Sequence, residues 1–267
     1  MKTKYIFAII LLGLLSSCSE DFIEKEPLVE SSARTYYSNE EQANAAIVGV
    51  YSILQNEQTQ LAPFMIIGDD CSDNTTIGNS NSSAYSWLGN PAMELQKFEV
   101  SSSNWVSNQL WGQGFEGITW ATQAIERIKG NENIPQDKRD QFVGEAHFLR
   151  ALYYFLMVRQ YGRLPIIDHT LSYEEYYMPR ASIEDTWAFI ESDLKTAAGL
   201  LPKKSEYSAE NLGRATQGAA KSLLGKSYIY QGKFDEAYTI LKEVVSSQEY
   251  GLEPNYADIF TIEHENG

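Results

Sequence analysis

The sequence has few basic residues. Its 267 residues include 21 Lys and Arg against 36 Asp and Glu, which gives a formal charge of −15 at pH 7. A nucleic-acid-binding protein needs clustered basic groups that neutralise phosphates, and the chain has no Lys/Arg-rich stretch. The composition therefore argues against a nucleic-acid partner, and for the same reason it disfavours binding to anionic lipid headgroups.

Cysteine and histidine are also scarce. The chain has two cysteines and three histidines, and they form no CxxC motif and no Cys/His cluster. The sequence therefore predicts no zinc site, and no other metal and no cofactor are assigned from it. The segment 69–74 brings several side-chain oxygens together, but it lacks the EF-hand Asp or Asn at the third position and the Gly at the sixth. A capped turn is the favoured interpretation there, and calcium at Asp69–Asp73 stays open.

No hydrophobic run is long enough to cross a membrane as a helix. The run from Tyr5 to Leu15 has eleven residues, whereas a span needs about twenty. Since Lys2 and Lys4 precede it, the run is typical of a signal peptide. The following Leu-Ser-Ser before Cys18 resembles the bacterial lipobox, which implies cleavage before Cys18, lipidation of its sulfur, with palmitate for example, and acylation of its amine. Ordinary secretion with a Cys18 thiol is the alternative.

The residues after the signal peptide predict a tether followed by a helical body. We expect a signal peptide at 1–17, a lipidated tether at 18–37 and a helical domain at 38–267. Ser19-Glu20-Asp21 resembles an acidic surface-export tag, which favours the outer face of the outer membrane. If Cys18 is a thioether, Cys71 has no disulfide partner within the chain.

Apolar residues at helical spacing dominate the body. The pattern predicts a first helix near 39–57 with a capping box of Ser38 and Glu41. Further helices are predicted along stripes that start at Trp111 and Phe142, in a segment capped by Ser182 with Asp185, and near 216–231 and 234–247. Pro165–Ile167 is predicted as a short extended piece. The fold class is therefore all-α.

The last two predicted helices resemble a tetratricopeptide hairpin. Gly225 and Ala237 allow a close helix approach, Gly232 turns the chain, and Tyr228 and Phe234 are expected to fill the groove. Between Gly68 and Asn104 the helical spacing fails, and Gly, Asn, Ser and Asp accumulate. The sequence therefore predicts tetratricopeptide-like antiparallel hairpins with one long irregular loop, and such loops usually carry function.

Four blocks of the sequence resemble the SusD/RagB family of outer-membrane nutrient-binding lipoproteins. The block from Gly144 to Phe155, which continues to Tyr161-Gly162-Arg163-Leu164-Pro165, looks like the family signature. Similar blocks lie at 111–128, 180–202 and 213–237. Trp120 and Thr122 depart from the basic residue and Asn that the family often has there. Because family members usually continue with a long second half, we expect the chain to be an N-terminal portion or a truncated product, with domain 38–267 incomplete at its C-terminus.

The resemblance implies a function without covalent chemistry. Such proteins bind an oligosaccharide, or in some branches a peptide, and deliver it to a SusC-like TonB-dependent transporter in the outer membrane. The acidic charge is compatible with neutral glycans. Two alternatives stay open: a surface glycoside hydrolase and a helical-repeat adaptor that binds only protein. The hydrolase is disfavoured because neither a GxSxG nor an HExxH motif is present.

The irregular loop offers both groups that a sugar site needs. Pyranose rings have apolar faces that stack on aromatic rings, and their hydroxyls pair with Asn and Asp side chains. The predicted ligand contacts are Asp73, Asn74, Asn81, Tyr85, Trp87 and Trp105. Trp111 is predicted to be core. His147, Glu145 and Arg150 are interpreted as structural helix residues, and Asp168 with His169 as a loop pair.

Overall fold

The computed structural model describes residues 37–55, 68, 71–72 and 89–261. Within these ranges the chain is all-α, as predicted, and no strand is present. Seven α-helices are described: α1 (Glu40–Ser52), α2 (Gly89–Gln96), α3 (Trp105–Lys129), α4 (Gln136–Tyr161), α5 (Ile183–Leu200), α6 (Gln217–Tyr230) and α7 (Phe234–Ser246). Short 3-10 turns lie at Ile53–Gln55, Tyr173–Tyr177, Lys204–Glu206, Ala209–Asn211 and Tyr256–Phe260.

The start of α1 corrects one prediction. The N-cap is Asn39, whose side-chain oxygen accepts from the Gln42 amide at 3.0 Å, while Ser38 donates to the Gln42 side chain. The predicted capping box of Ser38 and Glu41 is therefore wrong by one residue. Asn is as good an N-cap as Ser, and the Gln three residues later takes the place expected for Glu41. The Ser182 cap of α5 is confirmed, because its hydroxyl accepts from the Asp185 amide at 2.9 Å.

The helices from α3 to α7 pack in sequence order, each against the next, and α1 packs on α3 and α4. Short connections join α3 to α4 and α6 to α7, and such connections place neighbouring helices antiparallel. The main core lies between α3, α4 and α5, where Ile118, Leu149, Tyr153, Ile190 and Leu194 are fully buried. This arrangement confirms the tetratricopeptide-like architecture.

The α6–α7 hairpin follows the predicted order with one exception. A Cβ on Gly225 would lie 2.5 Å from Cγ of Leu241, and Gly232 turns the chain with a φ of +73°. Ala237 and Tyr228 are buried. Phe234, however, is 67% exposed at the first turn of α7, so the prediction that it fills the groove is wrong. Leu241 and Ile240 pack against Gly225 instead.

The region predicted as one irregular loop contains a helix. α2 lies inside the segment 68–104, where eight residues with one Pro in the first turn form a short helix that packs on α3. Pro is compatible with a first helical turn because its missing N–H has no intrahelical partner there. The described helices include none that combines the length and the apolar character needed to cross a bilayer.

Candidate functional site

Of the predicted ligand contacts, only Trp105 lies in the described part of the chain. Asp73, Asn74, Asn81, Tyr85 and Trp87 lie outside the described residues, as does Cys18. Trp105 begins α3 and packs against a small apolar cluster made of Ala92, Leu95 and Val106. Its ring therefore anchors α2 on α3 with at least part of its surface.

Asn104 fixes the end of the loop in front of Trp105. The side chain caps α3 by accepting from the Ser107 amide at 3.1 Å, and it donates to the Pro91 carbonyl and to Glu94, both at 2.9 Å. Hydrogen bonds from Asn104 and then from Ser101 lower the pKa of the Glu94 carboxyl. The C-terminal boundary of the predicted loop is thus held by a defined hydrogen-bond network.

A cavity of about 350 Å³ lies between α3 and the segment 165–178. Twelve residues line it: Trp111, Phe115, Thr119, Thr122, Gln123, Pro165, Ile167, His169, Thr170, Leu171, Tyr176 and Met178. We call it the α3 cavity. Apolar and aromatic side chains dominate the lining, with a few polar groups among them, which is the usual composition of a small-molecule site.

Trp111 and Phe115 form an aromatic part of the α3 cavity lining, and Tyr161 packs against Trp111. The ring centroids of Trp111 and Phe115 lie 4.7 Å apart, and Tyr161 meets Trp111 edge-on at 5.1 Å. The Tyr161 hydroxyl donates to the Ser107 carbonyl at 2.7 Å. Trp111 packs against the main core, as predicted, and it also contributes to the cavity wall.

Another part of the lining comes from the turn that carries Tyr176. Glu175 accepts from the amide and hydroxyl of Ser172 at 2.8 and 2.7 Å, and its other oxygen meets His169 Nε2 at 3.0 Å. These contacts, led by the Ser172 amide, lower the pKa of Glu175 to about 2. These hydrogen bonds, all within the segment 169–175, fix the conformation of the turn that carries Tyr176.

His169 and Thr170 fasten this turn to the rest of the molecule. His169 Nδ1 lies 2.7 Å from Asp168 Oδ1, which confirms the predicted loop pair. The hydrogen bond to Asp168, followed by the one to Glu175, raises the pKa of His169. On the α3 side, Thr170 donates its amide and its hydroxyl to Glu126.

Most polar groups of the α3 cavity are already paired. The Thr119 hydroxyl donates to the Phe115 carbonyl at 2.8 Å, and Thr122 donates to the Ile167 carbonyl at 3.3 Å. Gln123, by contrast, forms no side-chain hydrogen bond within the described residues. Neither Asp nor Glu lines this cavity in the described part of the chain, so the lining provides no pair of carboxyl groups for glycoside hydrolysis.

Glu145, Arg150 and Asp193 are buried, and each is paired with an oppositely charged side chain. Arg150 holds Asp193 through two hydrogen bonds, and Arg214 donates to both carboxylate oxygens of Glu145 at 3.0 and 2.9 Å. His147 Nδ1 also meets Asp193 at 2.7 Å. These contacts confirm the structural interpretation of Glu145, Arg150 and His147.

Sequence reasoning missed Tyr176, Gln123 and Met178 as cavity residues. Tyr176 belongs to a Tyr-Glu-Glu-Tyr-Tyr run between two predicted helices, and that clustering of aromatic residues in a connection was the available signal. Nothing in the helical spacing of α3 distinguishes Gln123 from a surface residue. The described residues contain no group of three or more His, Cys, Asp and Glu side chains with metal-binding geometry.

The fold and the cavity together define the class of protein: a helical-hairpin protein with an aromatic-walled cavity beside its third helix. A family model described as starch-binding and associating with the outer membrane matches residues 21–229. The chain belongs to this SusD-like family.

Relatives agree along nearly the whole chain. A SusD-like protein of Formosa agariphila is 28% identical over 270 aligned residues, which cover 99% of this chain and 50% of the relative. A SusD-like protein of Bacteroides ovatus is 24% identical, and the match covers 100% of this chain and 48% of the relative. The chain thus spans about half the length of these relatives.

Solved structures show the same fold. A laminarin-binding SusD-like protein is 29% identical with a TM-score of 0.72, and the match covers 84% of this chain and 48% of that one. Surface glycan-binding protein A of Bacteroides thetaiotaomicron, solved with laminarihexaose, has a TM-score of 0.71 at 20% identity, with 85% of this chain and 47% of that chain covered. At that identity the likeness concerns the fold alone.

Proposed function

We propose that the protein binds an oligosaccharide at the cell surface and passes it, chemically unchanged, to a TonB-dependent transporter of the outer membrane. The observation that carries the proposal is the family match over residues 21–229. A relative at 29% identity is named for laminarin binding, which favours a neutral glycan as cargo.

The layout of the chain is consistent with this role. In the proposal, residues 1–17 direct export, lipidated Cys18 anchors the protein, and 18–37 tether the helical domain at 38–267, which presents stacked hairpins to the transporter. Stacked hairpins of this kind offer broad, rigid surfaces that suit a protein partner. Several acyl chains hold an acidic protein on a membrane without help from charge, at about 0.8 kcal/mol per buried CH₂ group.

Ligand recognition is assigned to the long loop. Trp87, Trp105 and Tyr85 would supply stacking surfaces, while Asp73, Asn74 and Asn81 would pair with sugar hydroxyls. The firm anchoring of the loop end through Asn104 supports this assignment, because a fixed base lowers the entropy lost when a loop closes on a ligand.

Binding and turnover are tested together on the whole protein. Calorimetric titration with laminarin and with starch, alongside uronate-rich and sulfated polysaccharides, is expected to show saturable binding of a neutral glycan. The glycan recovered afterwards should have an unchanged number of reducing ends. Release of new reducing ends would favour the hydrolase alternative, and binding of protein partners with no glycan bound would favour the adaptor.

A further inference from the structure

We infer that the α3 cavity is a saccharide subsite that takes one neutral pyranose ring and is lined by residues other than the predicted loop contacts. The inference rests on the proposed function for its biological meaning. It has its own physical basis, however, in the shape, lining and charge of the cavity.

The size of the α3 cavity limits the ligand. Pockets for small molecules span about 300–1,000 Å³, and the α3 cavity, with about 350 Å³, lies at the lower end of that range. This volume suits a single sugar ring better than a run of several rings. A longer glycan would have to leave through the open side of the cavity.

Aromatic side chains from two elements give the cavity its preference for a flat, partly apolar ring. Trp111 and Phe115 line the cavity from α3, and Tyr176 lines it from the turn at Tyr173–Tyr177, with 65% of its surface exposed. A pyranose ring presents an apolar C–H face to such an aromatic wall. Tyr173 meets Tyr176 edge-on with centroids 6.3 Å apart, which supports the ring from outside.

The polar groups of the cavity suit hydroxyls. The Gln123 carboxamide has two donors and an acceptor and forms no hydrogen bond within the described residues. The Thr119 hydroxyl uses its proton on the Phe115 carbonyl, so its oxygen accepts. A sugar hydroxyl both donates and accepts, and it matches this combination.

The charges around the cavity disfavour ionic ligands. Neither Lys nor Arg lines it in the described part of the chain. Among the described lining residues, His169 is the one side chain that can become cationic, and it contacts both Asp168 and Glu175, while Glu126 is engaged by Thr170. An anionic sugar would meet more negative than positive charge, while an amine would find the neighbouring carboxylates already paired.

The test measures ligand binding in the cavity by NMR, through the methyl resonance of the lining residue Met178. In the whole protein with ¹³C-methyl methionine, the Met178 resonance is assigned from Met178→Leu and followed during titration with methyl β-D-glucopyranoside and methyl β-D-galactopyranoside. We expect a saturable shift with at least one of them at concentrations up to about 100 mM, as weak single-ring binding requires. Glucuronate should give a smaller shift.

Variants of two adjacent tyrosines separate stacking from general damage to the turn. Tyr176→Ala should weaken binding about 3- to 10-fold, as expected for loss of an aromatic contact, and Tyr176→Phe should retain it. Tyr177→Ala is the matched control, because Tyr177 lies in the same turn, is 89% exposed and does not line the cavity. Gln123→Ala should weaken binding without changing thermal stability.

Several outcomes would overturn the inference: no shift with any neutral pyranoside, equal effects of Tyr176→Ala and Tyr177→Ala, or a stronger response to N-acetyl-leucinamide than to the sugars.

The proposed function can fail independently of the subsite. If laminarin or starch binds while Met178 does not respond to pyranosides, the subsite is wrong and the function stands. If Met178 responds but no polysaccharide binds, the subsite stands and the function is wrong.

Discussion

Arg150 and Asp193 form a bidentate ion pair inside the helical stack. Nε of Arg150 donates to Oδ2 at 2.7 Å and Nη2 donates to Oδ1 at 2.8 Å, and both side chains are buried. The pair joins α4 to α5, and Arg150 also donates to Thr122 on α3 at 3.1 Å. Three helices that carry or support the α3 cavity are therefore fixed to one another through a single guanidinium.

Removing one partner of this pair should destabilise the fold. Asp193→Asn leaves the Arg150 charge buried without its carboxylate, and we expect a loss of about 3–5 kcal/mol in the free energy of unfolding, measured by urea denaturation. Glu243→Gln serves as the control, because it breaks an exposed pair with Lys221, which should cost about 0–1 kcal/mol. Equal losses in the two variants would contradict the structural role of the buried pair.

The Asp193 carboxylate should also make the free energy of unfolding depend on pH. Burial favours a higher pKa for Asp193, but the hydrogen bonds from Arg150 and His147 outweigh it, and the folded pKa is lowered from 3.8. A lowered pKa contributes stability that is present above the unfolded value and is lost as the pH falls through the folded value. The difference in unfolding free energy between the wild type and Asp193→Asn should therefore shrink below about pH 4. A difference that is constant from pH 7 to pH 2 would be inconsistent with this linkage.

The histidine that fastens the Tyr176 turn offers a local test. NMR titration should give His169 a pKa above 6.5, because Asp168 and Glu175 both stabilise its protonated form. Any stabilisation from this group is present at low pH and is lost as the pH rises through the raised pKa. Glu175→Gln should lower the pKa of His169, whereas Glu174→Gln, one residue earlier in the same turn, should change it less. The contact would be disproved by identical values in the two variants.

Two glycines on α3 should respond oppositely to alanine. A Cβ on Gly117 would lie 2.5 Å from the ring of Tyr153, whose hydroxyl is tied to the Val50 carbonyl, while nothing lies within 4 Å of a Cβ on Gly112. Gly117→Ala should destabilise by about 1–3 kcal/mol through overpacking. Gly112→Ala should stabilise by up to about 1 kcal/mol, because Ala is the better helix former. Thermal unfolding distinguishes the two, and a loss at both sites would refute the close approach of α3 and α4.

The loop assignment has its own test. Trp87→Ala should weaken glycan binding by about 3- to 10-fold if its ring is a stacking platform. Trp120→Ala is the comparison, since Trp120 is 41% exposed and lies against Gly49 of α1. Unchanged glycan affinity in Trp87→Ala would show that the platform assignment is wrong.

Local rules account for most of what the sequence predicted. The stripe from Phe142 to Met157 predicted α4 because each residue falls on one helix face, and Gly225 predicted the hairpin contact because a side chain there would collide with Leu241. Asn39 displaced Ser38 as the N-cap because the two residue types cap about equally well, so spacing alone did not choose between them.

The α3 cavity was beyond such rules. It exists because the segment 165–178 lies across α3, with Thr122 and the Ile167 carbonyl in contact although they are 45 positions apart. Tyr176 belongs to no periodic pattern, and its place in the cavity lining follows from that long-range packing. The hydrogen bonds of Asp168, His169 and Glu175, which set the turn, join short polar side chains that mark only a loop in the sequence.

The most direct test of the account is calorimetric titration of the whole protein with laminarihexaose and a panel of neutral polysaccharides, with reducing ends counted before and after. We predict saturable binding of a neutral glycan that is recovered at its original length. A protein that binds none of them, or that shortens the one it binds, would contradict the proposal of a non-catalytic glycan carrier.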